Sequence, residues 1–186
     1  MRVSREQVAE NRARILDAAG RLFRERGFES VTVAEVMKAA GLTHGGFYGY
    51  FASKDDLIAQ SLGHALANAA LAGDAALAEY AAWYLSPEHC ADRAGGCPTA
   101  ALGAETIRQG GGARAAMTAG LRHQIGALAR VAPGGDDAGR RRAAIGSWSA
   151  MVGAVILARL SDDPELGAEI LAETRAWIGE RAEADA

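Results

Sequence analysis

His89, Cys90 and Cys97 are the residues of this 186-residue chain whose types and spacing most directly suggest reactive chemistry. Cys97 lies in GGCPTAALGAE, after a glycine-rich loop and at the start of a helix. The helix dipole there lowers a thiol pKa and favours the reactive thiolate. Cys90 and His89 could resolve or activate such a thiolate. A thiol enzyme would pair Cys97 as nucleophile with His89 or His123 as base. No third orienting group follows from the sequence, so no catalytic residue is assigned. The competing reading is a small buried thiol, since Cys is among the most buried residue types. Two cysteines are too few for a disulfide scaffold or a zinc site on their own, and no metal or cofactor is expected.

A second chemistry resides in TVAEVMKAAGLTHGGFYGYFASKDDL, residues 32–57. Thr32 precedes VAEVMKAA with Glu35 three residues on, the spacing of a capping box. Gly41 supplies the positive φ that ends that helix. Thr43 can cap a second short helix from His44 to about Phe51, and Ser53 with Asp56 repeats the capping box for a third. Two short helices joined by a glycine turn fit a helix-turn-helix, whose second helix can enter the major groove of DNA. An αα-corner in a core is the plainer alternative.

The elements that must position these residues are all helical. One helix from about Ala9 to Arg26 has Ile15, Leu16, Ala19, Leu22 and Phe23 on one face and arginines on the other, with Gly27 as its stop. Most of those arginines read as a solvated face, and Arg2 and Arg5, on the polar, frayed segment before them, could reach phosphates. A further helix begins at Lys54 and reaches about Gly73; another covers 74–85. PEHCADRAGGCP reads as a loop after the Ser86-Pro87 break. Helices follow from Pro98 through Ile107, over 113–131, over 137–160 and over 164–182. Ala143, Ala144, Gly146, Ser147, Ala150, Gly153 and Ala154 form a small-residue surface, and Leu166, Ile170, Thr174 and Trp177 a near-heptad stripe. Both suit an interface, or equally intramolecular packing.

GLTHGGFYGYFASKDDL resembles the end of the DNA-binding domain of TetR-family (tetracycline-repressor-like) transcriptional regulators, and the likeness extends back to about Asn11. The resemblance implies an all-α fold: an N-terminal three-helix helix-turn-helix domain, residues 1–53, and a C-terminal helical ligand-binding and dimerisation domain, residues 54–186. It assigns His44, Gly45, Gly46 and Tyr48 to the groove, and Thr32, Tyr48, Tyr50 and Lys54 to phosphates. With two glycines among the readers, Thr43 and His44 become the main polar contacts, leaving more of the recognition to DNA shape. It further implies a homodimer through the last two helices and hence a palindromic operator on double-stranded DNA. An effector pocket for an unknown small molecule is expected between the Lys54 helix and the 137–160 helix, with Trp83, Tyr84, Met117, Leu121, His123, Trp148 and Met151 as candidate lining residues. Plain core is the competing reading for each of these. The Gly-Cys segment at Cys97 is similar to that of electrophile-sensing repressors of the same family, so thiol-based sensing is a variant reading.

Composition agrees with a regulator of this kind. Residues 1–60 hold nine Arg and Lys against eight acids, whereas the whole chain carries a net charge of −3. A weakly basic end on an acidic body suits contact with DNA at one face. No 18-residue uncharged run suggests a membrane span, and the first residues lack an apolar signal-peptide core, so a cytoplasmic protein is expected.

Overall fold

A computed structural model describes residues 4–69 and 76–184. Among the described residues the regular structure is helical: α1 (Arg5–Arg26), α2 (Val33–Ala39), a 3-10 helix (His44–Gly49), α3 (Lys54–Asn68), α4 (Leu77–Tyr84), α5 (Pro87–Ala91), α6 (Pro98–Thr106), α7 (Gly111–Val131), α8 (Asp137–Leu160) and α9 (Pro164–Ala184). The chain is all-α, with an N-terminal helix-turn-helix followed by a helical C-terminal region. It forms two compact units, residues 1–69 with 97–120, and 70–96 with 121–186.

In the first unit, α1 packs Ile15, Leu16, Ala19 and Phe23 against Phe28, Val31, Val36, Met37, Phe47, Phe51, Leu57, Ile58 and Leu62. Phe23 and Phe28 meet edge to face at 5.3 Å, and Phe47 stacks on Phe51 at 5.7 Å. Gly27 ends α1 with φ +82°. Next to it the Phe28 N–H donates to a Glu105 carboxylate oxygen at 2.7 Å, and a Cβ at Gly27 would lie 2.6 Å from the other oxygen. Both the backbone angle and the approach of α6 therefore require glycine there.

α1 begins at Arg5 rather than near Ala9, because Ser4 caps it: its hydroxyl accepts from the Gln7 N–H at 3.1 Å. Most arginines of α1 are exposed, as expected (Arg5, Arg14, Arg21 and Arg26), and several still find polar partners. Arg14 donates to the Ala40 carbonyl, Arg12 to Gln60, and Arg26 to the Ser30 carbonyl, with a 2.9 Å ion pair to Glu35. Each polar head finds a neighbour on another turn or helix while its stem covers apolar surface. Arg2 lies outside the described residues, and α3 ends at Asn68 with Ala69 as its C-cap instead of running to about Gly73.

In the second unit, α8 and α9 pack antiparallel, with Ala144, Trp148, Met151, Ala154 and Val155 of α8 and Leu171 and Ile178 of α9 buried. The stretch expected to be loop contains α5. Ser86 caps it by accepting from the His89 N–H at 3.1 Å, and Pro87 occupies its first position, where proline needs no N–H partner. Arg159 of α8 reaches the end of α5, donating to the Cys90 carbonyl at 2.9 Å. α8 reaches a mean hydropathy of 1.6 over its best window, enough by length and composition alone to cross a membrane, a test that core helices pass as well; its longest uncharged run is still shorter than 18 residues. Only part of that apolar surface is covered in the protomer: Ile145, Ile156, Leu157 and Leu160 are exposed.

Candidate nucleic-acid interface

The site starts from the N-terminus of α2. The Thr32 hydroxyl accepts from the Glu35 N–H at 3.2 Å, while a Glu35 oxygen accepts from the Thr32 N–H and hydroxyl, both at 2.8 Å. The Thr32 backbone N–H, then its hydroxyl, and then Arg26 hold the Glu35 carboxyl down to about 2. Both Thr32 donors are thus committed to Glu35, so an incoming phosphate at Thr32 must compete with that carboxylate or use the free amides beyond it.

The turn after α2 is a Schellman motif. Leu42 N–H bonds the Met37 carbonyl at 2.8 Å, Gly41 N–H bonds Lys38 at 3.0 Å, and Gly41 takes φ +70°. The following segment is a 3-10 helix, not the expected α-helix through Phe51. Gly46 N–H bonds Thr43 and Tyr50 N–H bonds Phe47, both three residues back. Three glycines in six residues remove the side-chain packing and propensity that would sustain α-helical bonding. Thr43 precedes this segment without the expected side-chain cap. The Ser53 hydroxyl does cap α3, accepting from Asp56 N–H at 3.0 Å, but the Asp56 carboxylate accepts from Ala52 N–H rather than Ser53. That bond, after one from Gln60, lowers the Asp56 pKa.

Burial of Phe47 and Phe51 turns the rest of the segment outward. Thr43, His44 and Gly45 are exposed and Gly46 partly so; Tyr48 is 77% exposed, its ring 5.2 Å from Phe47. Tyr50 is half-buried, and its hydroxyl accepts from the Asn11 amide at 3.1 Å, whose oxygen accepts from Gln7 at 3.3 Å. An oxygen that accepts from Asn11 keeps its own O–H proton for an anion. Lys54 opens α3 without an ion-pair partner among the described residues. The structure thus brings Thr43, His44, Tyr48, Tyr50 and Lys54 onto one short, capped stretch. Sequence reading missed Asn11 and Gln7. The Ser4-x-x-Gln7 cap was the available signal for an early helix start.

The effector candidates divide. In the second unit Tyr84 is fully buried, with its ring 5.3 Å from Trp148 and 4.5 Å from His89. Trp83 packs 4.9 Å from His89 yet stays 55% exposed. Met151 is enclosed, Leu121 half-buried and His123 exposed. Met117 belongs to the first unit, where its sulfur accepts from the Thr99 hydroxyl at 3.8 Å. Trp148 is 7% exposed and its indole N–H has no hydrogen-bond partner. The His89 Nδ1–H donates to the Tyr84 carbonyl at 2.6 Å, and burial lowers the ring's pKa despite that bond. Cys97, at the N-cap of α6, is 5% exposed.

Residues 15–60 match the profile described as bacterial regulatory proteins, tetR family. Over 59 residues, 32% of this chain, the sequence is 41% identical to the HTH-type transcriptional regulator AcrR of Shigella flexneri. Over 56 residues, 30% of the chain, it is 36% identical to the HTH-type transcriptional repressor KstR2 of Mycobacterium tuberculosis. The matched stretch spans only 27% and 28% of those two relatives, respectively. The whole fold resembles the reduced form of Escherichia coli NemR with a TM-score of 0.72 and 22% identity, over 91% of this chain and 95% of that one. It also resembles FadR of Bacillus subtilis, solved with stearoyl-CoA, with a TM-score of 0.61 and 19% identity over 91% and 96%.

Proposed function

We propose that this chain, whose residues 15–60 belong to the tetR family of bacterial regulatory proteins, is a cytoplasmic, effector-responsive repressor that binds a palindromic operator as a homodimer. The observation that carries the reading is the outward row Thr43–His44–Tyr48 beside Tyr50 and Lys54, held by two buried phenylalanines and a capped turn. In this reading Thr43 and His44 meet base edges, Gly45 and Gly46 let backbone approach the groove, and Thr32, Tyr48, Tyr50 and Lys54 meet phosphates. Residues 1–53 are then the DNA-binding part and 54–186 the effector and dimerisation part.

Dimerisation is supported by Ile145, Ile156, Leu157 and Leu160 on α8 with Leu166 on α9, a patch too apolar to leave in water. The small residues divide: Ala144, Ser147 and Ala154 face inward, while Ala150 and Gly153 are partly open to a partner. The effector reading draws on Trp83, Tyr84 and Trp148, and the bare indole N–H favours a ligand with a hydrogen-bond acceptor. Burial of Cys97 supports the core-thiol reading over electrophile sensing.

Selection of bound DNA from a random pool should return an inverted repeat. On that site Lys54→Ala should lower the salt slope of binding by about one unit and weaken all sequences alike. Tyr48→Phe should weaken binding through one lost hydroxyl contact. Parent-like binding by both variants would overturn the phosphate assignments.

A further inference from the structure

We infer that the cleft between the first half of α8 and the second half of α9 binds a small organic carboxylate, at a site separate from both the recognition segment and the aromatic core. The cleft encloses about 480 Å³, within the range of small-molecule sites. Its existence follows from the sequence of α8: Gly139, Ala143, Gly146 and Ser147 share one helical stripe, so a floor of minimal side chains lies opposite Trp177 and Ile178 of α9. A Cβ at Gly146 would meet nothing within 4 Å.

Among the described residues the polar side chains of this cleft suit an anion. Arg142 stands on the α8 side and Arg181 on the α9 side, and no carboxylate of the described residues lines the walls. Neither guanidinium has an acidic partner among the described residues; Arg181 instead lies 4.4 Å over the Trp177 ring, which holds it in place. The acids at the start of α8 are occupied, Asp136 by the Gly139 N–H and Asp137 by Arg140. Ser147 is the second, independent observation. It is only 8% exposed, lines the cleft, and has no hydrogen-bond partner among the described residues. Its hydroxyl opens into the cleft rather than being sealed among protein atoms, so it can meet an acceptor from a ligand. Arginine forks match a planar carboxylate, and the apolar remainder of the ligand would lie against Ile178, Ala143 and Leu77.

The probe is 1-naphthoate, with neutral 1-naphthalenemethanol as its uncharged counterpart, titrated calorimetrically into the full chain at low salt. Naphthoate should bind one site per chain, at least about tenfold tighter than the alcohol, as expected for charge-assisted hydrogen bonds. Arg142→Gln and Arg181→Gln should each weaken it about tenfold or more, while Arg141→Gln, one residue along and outside this cleft, should not. No binding at millimolar naphthoate, equal affinity for the alcohol, or parent-like affinity in the arginine variants would each overturn the site. Such a failure would leave the operator-binding reading intact, because none of these residues belongs to the recognition segment.

Discussion

Tyr48 and Trp148 are both large aromatic residues assigned to recognition, yet the two units hold them in opposite ways. In the first unit the side chains proposed to touch DNA project from a scaffold whose stability comes from others: Phe47, Phe51 and Met37 below, and the Thr32 and Gly41 caps at either end of α2. In the second unit Trp148, Tyr84 and His89 are themselves the packing. Contact and stability are separable at the first site and the same residues at the second. The residues proposed to read DNA can therefore vary without loss of fold, whereas those proposed to meet an effector cannot change without repacking.

The largest effect expected is on assembly. Gly153→Arg adds a charge where nothing lies within 4 Å in the protomer, so the chain should still fold while the charge costs about 3–5 kcal/mol against a buried dimer face. Sedimentation should then show a monomer with little operator affinity; an unchanged dimer would move the interface elsewhere. The comparison itself is sharpest in a matched pair. Trp148→Ala should cost about 3–5 kcal/mol of stability, and Tyr48→Ala within about 0.5 kcal/mol while weakening DNA binding. Equal losses in denaturant unfolding would erase the distinction between the units.

Smaller effects probe the scaffold of the first site. Gly41→Ala forces a side chain into φ +70°, and should cost about 1–2 kcal/mol. Thr32→Ala removes the α2 cap for about 1 kcal/mol. Either should lower operator affinity without changing the preferred sequence, measured by repeating the selection.

The smallest effect is in pH. The folded pKa of His89 lies below its ordinary value of 6.5, so the neutral ring's contribution is complete above that value. It is lost progressively as pH falls below 6.5 toward the folded pKa, because the unfolded chain binds the proton more readily. Glu35 also has a depressed pKa, and its contribution fades only as pH falls from 4.5 toward about 2. Mild acid should thus weaken the second unit first. Denaturant midpoints between about pH 7.5 and 5.5 should fall for the parent and stay flatter in His89→Asn; an identical slope would assign the effect to other groups.

Much of the first site was legible because its determinants are local. A cap and its partner lie three residues apart, Gly41 stands where the Schellman turn needs it, and Phe47 and Phe51 are one turn apart. Asn11 was hidden since its partner, Tyr50, is 39 positions away. The helix at Pro87 was hidden behind turn-forming composition, although Ser86-Pro87 is also a helix start.

By itself the sequence determined the helical class and the helix-turn-helix, since periodicity and capping act within a turn or two of helix, while its DNA-facing residues followed from the family resemblance alone. Tertiary structure alone decided that Glu105 of α6 takes the Phe28 N–H and that Trp83 stays half open while Trp148 is enclosed. It also decided which small residues of α8 meet the core and which leave a cleft. Those outcomes depend on which helix lies opposite, and a helical repeat specifies a face without naming its neighbour.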